Sequence, residues 1–393
     1  LTALVAVADG YQAAIMAPTE ILAEQHLSNL RALASPLGVP VRLLVGGMPA
    51  AKRRRVAGEA ASEEASIVVG THALLSGDVR FGRLGLAVID EQHRFGVFQR
   101  AALKGKGAAP DVLVMTATPI PRTLALTLYG DLDVSVLDEL PPGRTPVRTA
   151  WRTADRRPAV LQFVRDEVAK GRQVYLVYPL VEASEKSDLK AATEAYESLR
   201  AGPLSGLRLA LLHGRMKGDR KEAVMSGFKE GEVDVLVSTT VIEVGVDVPN
   251  ASVMVVEHAE RFGLPQLHQL RGRVGRGAHA STCVLIADPP DGALSEDARA
   301  RLEALARTND GFEIAEIDLR LRGPGDAFGA RQSGLPDLRI AHPVRDARLL
   351  SEARQVASRV IEADPDLSAP EHRLLREMMD LEQRRRTDLA GVG

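Results

Sequence analysis

The sequence has little cysteine and few aromatic residues. Its 393 positions include a single cysteine, Cys283, a single tryptophan, and aromatic side chains at only 4%. One cysteine cannot close a disulfide or assemble a cysteine zinc site, so a disulfide-bonded scaffold and a cysteine-ligated zinc domain are both excluded. Because Cys283 lies in the apolar run 282–287, we expect a buried, unreactive thiol.

Net charge and long apolar runs are also lacking. The 50 lysine and arginine residues nearly balance the 52 aspartate and glutamate residues, and the formal net charge is -2. Attraction of the whole molecule to nucleic acid or to an anionic membrane is therefore excluded, and any polyanion site must be local. No uncharged apolar run approaches the ~20 residues that span a bilayer, and the first residues lack the basic flank of a signal peptide. We expect a soluble, cytoplasmic protein with no membrane partner.

Length and composition predict a globular protein of two or three domains, at roughly 150 residues per domain. Hydrophobic residues make up 45% of the chain and charged residues 26%, which excludes a disordered chain. Short aliphatic runs alternate with helical stretches, a pattern typical of parallel α/β sheets. No repeat of fixed period is visible. The predicted strands cover residues 13–17, 66–70, 85–89, 111–116, 173–179, 207–212, 233–238, 252–257 and 281–287.

Prolines and a glycine within residues 138–146 separate the two series of strands, because neither residue type continues a helix or a central strand. We therefore predict two α/β domains, residues 1–140 and 147–290, followed by a mostly helical region, residues 291–393. In that region apolar residues recur at helical spacing on two faces. These are Leu302, Leu305 and Ala306, and then Leu349, Leu350, Ala353, Val356 and Val360.

Two adjacent carboxylates, Asp90 and Glu91, follow a predicted buried strand. One could hold Mg²⁺ through water while the other orients a hydrolytic water. The alternative is a solvated acidic loop. About 25 residues later, Thr116 and Thr118 end another strand, where their hydroxyls could bond the acidic pair or a phosphate, or could simply belong to a Thr/Pro turn.

Residues 261–287 contain four arginines and no carboxylate. We expect Arg273 and Arg276 to project from one face of a helical turn, with the glycines between them allowing close approach of a partner surface. Such a pair can stabilise the charge of a transferred phosphoryl group, although a general anion or RNA patch remains an alternative.

Hydroxyl residues also end the strand at 233–238 and are followed by Asp247. They suit phosphate contacts, and Asp247 suits a ribose or an arginine. The alternative for this segment is a polar loop between strand and helix.

In combination, these segments resemble the motor of superfamily 2 helicases, which implies two RecA-like parallel-sheet domains. Motifs Ia, Ic, II, III, V and VI correspond to residues 16–20, 69–72, 90–93, 116–118, 239–249 and 269–276. Longer strings at 89–97, 116–124, 138–146 and 318–334 are similar to those of the RecG family, bacterial ATP-dependent DNA helicases. Members of that family remodel stalled replication forks and branch-migrate Holliday junctions.

The resemblance implies ATP and Mg²⁺ as cofactors, branched or duplex DNA as the partner, and a monomer. It implies that Asp90, Glu91, Arg273 and Arg276 are catalytic, with Asp90 holding Mg²⁺ through water. The ATP site would be supported by Gln92, His93, Thr116, Thr118, Gly245, Asp247 and Gln269. DNA binding or coupling would involve Pro18, Thr19, Thr71, His72, Thr239, Thr240, Arg320, Arg322, Arg331 and Gln332.

The last four of these residues belong to a glycine-containing segment, 319–336, for which we expect a hairpin-like backbone. The resemblance implies that this segment couples ATP hydrolysis to translocation on duplex DNA. Solvated arginines on a turn are the alternative.

Two other functions stay open from sequence alone. A transcription-repair coupling factor shares many of these motifs, although residues 139–146 favour RecG. A non-catalytic DNA-binding or interaction module could also keep the motifs as a scaffold.

The Walker A loop expected of this family is missing, because no Gly-Lys-Ser or Gly-Lys-Thr occurs in the sequence. Residue 1 lies in what we predict to be the helix that this loop opens, so we expect a truncated chain that also lacks the family's N-terminal wedge domain. Without the amides and lysine of the loop, we expect the isolated chain to bind ATP poorly and not to hydrolyse it.

Overall fold

Parallel strands form two separate sheets in the computed structural model. The structure describes residues 1–91, 103, 105–107, 109–117, 133–139, 144–179, 185–239, 247–289, 292–327 and 346–390, without the side chains of 185–191, 322–327, 347, 351 and 382–390. The chain divides into two compact units, Leu1–Pro119 with Glu139–Asp318, and Ile120–Asp138 with Leu319–Gly393. Both sheets belong to the first unit. The three-domain division stays a prediction.

The first sheet lies within the predicted first α/β range. Its strands are β1 (Gln12–Met16), β2 (Val41–Leu44), β3 (Ile67–Gly70), β4 (Leu84–Ile89) and β5 (Asp111–Val114). They pair in parallel in the spatial order β2-β3-β1-β4-β5. Among the residues that the structure describes, this part contains α1 (Thr2–Ala8), α2 (Glu20–Ala34) and α3 (Ala50–Ala61), with 3-10 turns at Ser35–Leu37 and His72–Leu75.

The second sheet lies within the second predicted range. Its strands are β6 (Arg148–Thr153), β7 (Gln173–Val177), β8 (Leu209–Leu212), β9 (Val235–Ser238), β10 (Ala251–Val256) and β11 (Thr282–Ala287). They pair in parallel in the order β6-β11-β10-β7-β9-β8. Helices α4 (Arg157–Ala169), α5 (Glu185–Ala201), α6 (Gly218–Lys229), α7 (Leu264–Arg271), α8 (Glu296–Arg307) and α9 (Gly311–Ala327) follow in chain order, with 3-10 turns at Ala154–Arg156 and Ala259–Arg261.

The two sheets share one topology, which the sequence did not reveal. The order β8-β9-β7-β10-β11 repeats the order β2-β3-β1-β4-β5, and β6 is added at one edge. A local turn is repeated as well. After β2, the N–H of Val45 donates to the sulfur of Met48 over 3.3 Å, and after β8 the N–H of His213 donates to the sulfur of Met216 over 3.4 Å.

Helices cover both faces of each sheet, which explains the nearly continuous apolar strands. In β7, Val174 and Leu176 pack in a core with residues of α4 and α5. Their neighbours Tyr175 and Val177 point to the opposite face and pack in a core with residues of α6, α7 and α8. Burial of each such aliphatic side chain contributes about 1.5–3 kcal/mol to the hydrophobic driving force.

Two strands were missed by sequence analysis, β2 and β6. Both lie at sheet edges and carry arginines, which interrupt the apolar pattern that marks a central strand. In β2, Arg42 forms ion pairs with Glu59 and Glu64, each over 2.6 Å. The charge is therefore paired at the edge of the sheet, and the strand persists despite its polar residue.

The predicted helical region is confirmed, with one correction to its buried face. In α8, Leu302 and Leu305 are buried as predicted, but Ala304 is buried in place of Ala306. The next helices are α10 (Ala347–Ala363) and α11 (Arg373–Ala390). In α10, Leu349 and Val356 are exposed. In the part of the chain that the structure describes, no helix is long and apolar enough to cross a membrane.

A carboxylate organises the turn between α10 and α11, where a short 3-10 turn covers Pro370–His372. Asp364 accepts hydrogen bonds from the N–H groups of Ser368 and Ala369, each over 2.9 Å, and from Nδ1 of His372 over 2.8 Å. The bond from His372 and the two backbone bonds hold the pKa of Asp364 well below its usual range.

A buried glutamine begins the central strand of each sheet. Gln12 is fully buried, and its Nε2 donates to the carbonyls of Ala60, Ser62 and Glu64 where α3 ends, while its Oε1 accepts from Arg83 N–H. Gln173, 3% exposed, donates in the same way to Phe228 O and Val233 O where α6 ends. Each side chain thereby joins the first residue of a central strand to the carbonyls at and just after the end of a helix.

We expect the substitution Gln12→Leu to lower the free energy of unfolding by about 2–4 kcal/mol, because it removes the four hydrogen bonds of a fully buried amide, including the bond that Arg83 N–H donates. Equilibrium unfolding in urea measures the change. The matched control is Gln162→Ala on α4, where the side chain is exposed and a change within about 0.5 kcal/mol is expected. Equal stability of the two variants would contradict the role of Gln12.

Candidate functional site

The predicted site residues of the first sheet follow its strands at their carboxyl ends. Parallel strands bring these ends to one edge, where ligands of α/β proteins bind. Pro18 and Thr19 come after β1, Thr71 and His72 after β3, Asp90 and Glu91 after β4, and Thr116 after β5. The predicted residues Gln92, His93 and Thr118 lie outside the described residues.

Asp90 is held through its backbone and through both carboxylate oxygens. Its N–H donates to Met16 O over 2.9 Å, which continues the β1–β4 ladder by one residue. Oδ1 accepts from the N–H of Glu91 over 3.0 Å, and Oδ2 lies 2.8 Å from Nε2 of His26. Sequence analysis missed His26, because nothing in its spacing within α2 indicates a contact 64 residues away.

Glu91 has the left-handed backbone angle φ 51°, which is uncommon outside glycine. Its Oε2 accepts a hydrogen bond of 3.4 Å from the N–H of Ala117. The acidic pair therefore lies next to Ala117, through a backbone amide, and the predicted contacts of the threonine hydroxyls stay a prediction. This contact links the segments that resemble motifs II and III.

The donor set at Asp90 fits a magnesium ion that keeps most of its waters. Among the described residues no group of three histidine, cysteine or carboxylate side chains could hold a metal. Mg²⁺ commonly binds proteins through one or two carboxylates, with water and phosphate oxygens completing six ligands. Asp90, whose side chain is 21% exposed, provides such a carboxylate.

Three threonines at strand ends have different environments. Thr19 caps α2, where its Oγ1 accepts from the N–H of Leu22 over 3.4 Å. Thr71 and Thr239 follow the topologically equivalent strands β3 and β9, and both are buried. Their hydroxyl oxygens have no hydrogen-bond partner within the described ranges. Thr240 and Gly245 lie outside those ranges.

Arg273 and Arg276 lie beyond the end of a helix, not on a helical turn as predicted. Helix α7 ends at Arg271, and Gly275, with φ 81°, turns the chain in a conformation that L side chains rarely adopt. The chain packs closely just after these arginines, because a Cβ at Gly277 would lie 2.1 Å from Pro249 O, whereas the predicted approach of a partner surface stays a prediction. Gln269 lies in the last turn of α7.

Arg276 forms an ion pair with Asp247, and its Nε donates to Gly272 O over 3.1 Å. Of the two contacts that the sequence suggested for Asp247, this is the arginine contact. Burial lowers the pKa of Arg276, and Arg144 lowers it further, while Tyr175 and Glu91 oppose the shift.

Arg271 does not belong to the exposed arginine surface that the sequence suggested. It is 3% exposed, and its guanidinium donates to Leu305 O over 2.8 Å and to Thr308 O over 2.7 Å, at the end of α8. Burial and the charge of Arg271 lower the pKa of His268 to about 4. His268 is therefore neutral near pH 7, and its Nδ1 can accept from Arg271 over 3.0 Å.

The predicted coupling residues lie only partly within the described residues. Arg320, which is exposed, and Arg322 belong to α9, which continues to Ala327. The expected hairpin-like backbone is therefore wrong for residues 319–327. Ile314, Ala315 and Leu319 recur at helical spacing and are buried along α9. Burial of this apolar face stabilises the helix although the segment contains glycines. Arg331 and Gln332 lie outside the described residues.

Models of known protein families match three successive parts of the chain. Residues 1–127 match the DEAD/DEAH box helicase family, residues 156–278 match the helicase conserved C-terminal domain, and residues 308–392 match the family described as ATP-dependent DNA helicase RecG, domain 3, C-terminal. Over 366 residues the chain is 55% identical to the ATP-dependent DNA helicase RecG of Synechocystis, covering 93% of this chain and 44% of that protein.

A second relative and a solved structure agree with this match. The ATP-dependent DNA helicase RecG of Streptococcus pneumoniae is 50% identical over 375 residues, covering 95% of this chain and 55% of that protein. A structure of RecG bound to a three-way DNA junction matches with a TM-score of 0.69 and 45% identity over 88% of this chain and 45% of that chain. The chain belongs to the RecG family.

The chain spans about half the length of the curated RecG proteins that it matches. The predicted fold class, two RecA-like parallel-sheet domains followed by a mostly helical C-terminal region, is confirmed. The matches favour RecG over the transcription-repair coupling factors that the sequence left open.

We expect Arg271→Met to lower the free energy of unfolding by about 3 kcal/mol, because two buried carbonyls at the end of α8 lose a charged donor. Thermal unfolding followed by circular dichroism measures the loss. The control is Arg307→Met, in which the exposed ion pair with Glu313 contributes at most about 1 kcal/mol. If Arg271→Met were as stable as the control, the buried hydrogen bonds would not stabilise the fold.

Proposed function

We propose that the protein acts as an ATP-dependent double-stranded DNA translocase and helicase that remodels stalled replication forks and branch-migrates Holliday junctions in recombination and repair. The observation that carries this proposal is the placement of Asp90 and Glu91 at the carboxyl edge of the first sheet, where the N–H of Ala117 bonds to Glu91. The relatives named ATP-dependent DNA helicase RecG and the RecG structure with a three-way junction support the choice of substrate.

ATP bound with Mg²⁺ supplies the γ-phosphoryl group and the charge neutralisation that its transfer to water requires. Asp90 would hold the Mg²⁺ ion through water. Glu91, oriented by the N–H of Ala117, accepts a hydrogen bond from the attacking water. Arg273 and Arg276 donate to phosphate oxygens on which negative charge develops, and Asp247 positions Arg276. Gln92, His93, Thr116, Thr118, Gly245 and Gln269 complete the ATP site.

The proposed DNA contacts come from the strand ends of both sheets. Pro18, Thr19, Thr71 and His72 would contact the phosphate backbone from the first sheet, and Thr239 and Thr240 from the second. Hydroxyls and backbone amides suit such contacts, which fix the register of the protein without reading sequence. Thr71 and Thr239 hold matching positions after β3 and β9, and because both are buried, contact with DNA would require them to become exposed.

Arg320, Arg322, Arg331 and Gln332 are proposed to couple hydrolysis to movement along duplex DNA. We further propose that the protein works as a cytoplasmic monomer. The match of residues 308–392 to the RecG C-terminal domain 3 family supports the assignment of this segment to the motor.

In the full-length protein that contains this chain, we expect Arg276→Ala to lower the turnover of ATP about 10³-fold, because the transition state loses a charged donor. Hydrolysis stimulated by a three-way DNA junction is the measurement, and Arg359→Ala on α10, which is exposed, is the control. Activity within a few-fold of wild type would contradict the proposed role of Arg276.

Substitution of Arg331 or Gln332 in the same protein should separate two activities. We expect DNA-stimulated hydrolysis to survive largely intact while fork unwinding and junction migration are lost, because the coupling residues do not touch ATP. Both activities would be assayed on the same preparations, with circular dichroism to verify folding. Parallel loss of both would place these residues in the hydrolytic site, and no loss of either would indicate a solvated turn.

A further inference from the structure

A histidine on α2 contacts the carboxylate that would hold Mg²⁺. Nε2 of His26 lies 2.8 Å from Oδ2 of Asp90, and the two side chains are 30% and 21% exposed. Because a carboxylate only accepts, the imidazole donates through Nε2. With Oδ1 bonded to the N–H of Glu91, both oxygens of Asp90 have a donor that fixes their direction.

These two bonds leave Asp90 able to bind metal-coordinated water. A carboxylate has about four lone-pair directions, so each oxygen keeps about one free for water. The bonds also remove rotational freedom that binding would otherwise have to restrict. Groups that orient a metal-holding carboxylate in this way commonly change metal affinity or activity 10–100-fold when they are replaced.

Helix α2 connects this contact to a proposed DNA contact. Thr19 caps the helix, and His26 lies seven residues later, about two turns or ~10.5 Å along the axis. The first turn is anchored as well, because Glu20 accepts a hydrogen bond of 2.8 Å from Gly47 N–H. The backbone hydrogen bonds of α2 hold its turns together, so a shift of the capped end when DNA binds would move His26 with it.

We propose that His26 is a positioning residue that orients Asp90 for metal binding and transmits DNA contact at the start of α2 to the hydrolytic site. The inference rests on the proposed ATPase function. Nothing in the family matches assigns a role to His26. A purely structural histidine would stabilise α2 against β4 without changing how the site binds a metal ion.

The experiment compares His26→Ala, His26→Gln and the control Asn29→Ala in the full-length protein. The glutamine amide can place a donor near the position of Nε2, whereas alanine cannot. Asn29 is an exposed residue one turn further along α2. The first readout is the affinity for Mn²⁺ in the presence of ADP, measured by electron paramagnetic resonance. The second is ATP hydrolysis over a range of Mg²⁺ concentrations, with and without a three-way DNA junction.

We expect His26→Ala to weaken Mn²⁺ binding about tenfold, to raise the Mg²⁺ concentration for half-maximal hydrolysis by a similar factor, and to reduce stimulation by DNA. His26→Gln should recover most of the loss, and Asn29→Ala should match wild type. If His26→Ala does not fold, His26→Leu, which fills the space without a donor, replaces it in the comparison with His26→Gln.

Wild-type Mn²⁺ affinity in the alanine or leucine variant would overturn the proposal, and so would equal loss in the glutamine variant. Failure of the proposed function gives a different result. In that case the wild-type protein itself would show no DNA-stimulated hydrolysis, while the Mn²⁺ comparison would still test the role of His26.

Discussion

The backbone hydrogen bond from Asp90 to Met16 O determines where the chemistry of the first sheet can occur. It extends the pairing of β1 with β4 past the last residue of β4, so Asp90 leaves the sheet in a fixed direction. The neighbouring bond from Met115 N–H to Ile89 O does the same for β5 and brings residues 115–117 beside the acidic pair. Parallel pairing in register therefore positions the site before any side chain contributes.

The sequence predicted most strands of both sheets and the polar residues at their carboxyl edges, and this has a physical reason. Central strands of a parallel sheet are buried on both faces, so they appear as aliphatic runs, and the polar residues that follow them are easily seen. Edge strands such as β2 and β6 carry paired or exposed arginines and lose that pattern. The end of α7 was also misplaced, because the turn after Arg271 depends on a glycine conformation, and the pattern of charges does not reveal it.

The features that the sequence could not predict depend on contacts between residues that are distant in the chain. His26 meets Asp90, and Arg271 meets the end of α8, only because the fold brings separate helices together. The shared topology of the two sheets was hidden for a related reason. Its common features, a buried glutamine at the start of the central strand and a methionine sulfur after β2 and β8, are single residues whose partners are backbone atoms.

The backbone at Gly277 packs tightly against the carbonyl of Pro249. The segment after α7 and the segment before β10 meet with no space for even a methyl group, and the Arg276–Asp247 ion pair joins them again nearby. Two segments in such contact cannot slide past each other, since interiors packed at this density are stiff. The segment that carries Arg276 is therefore held to the start of β10 at two points, so the two can move only as one body.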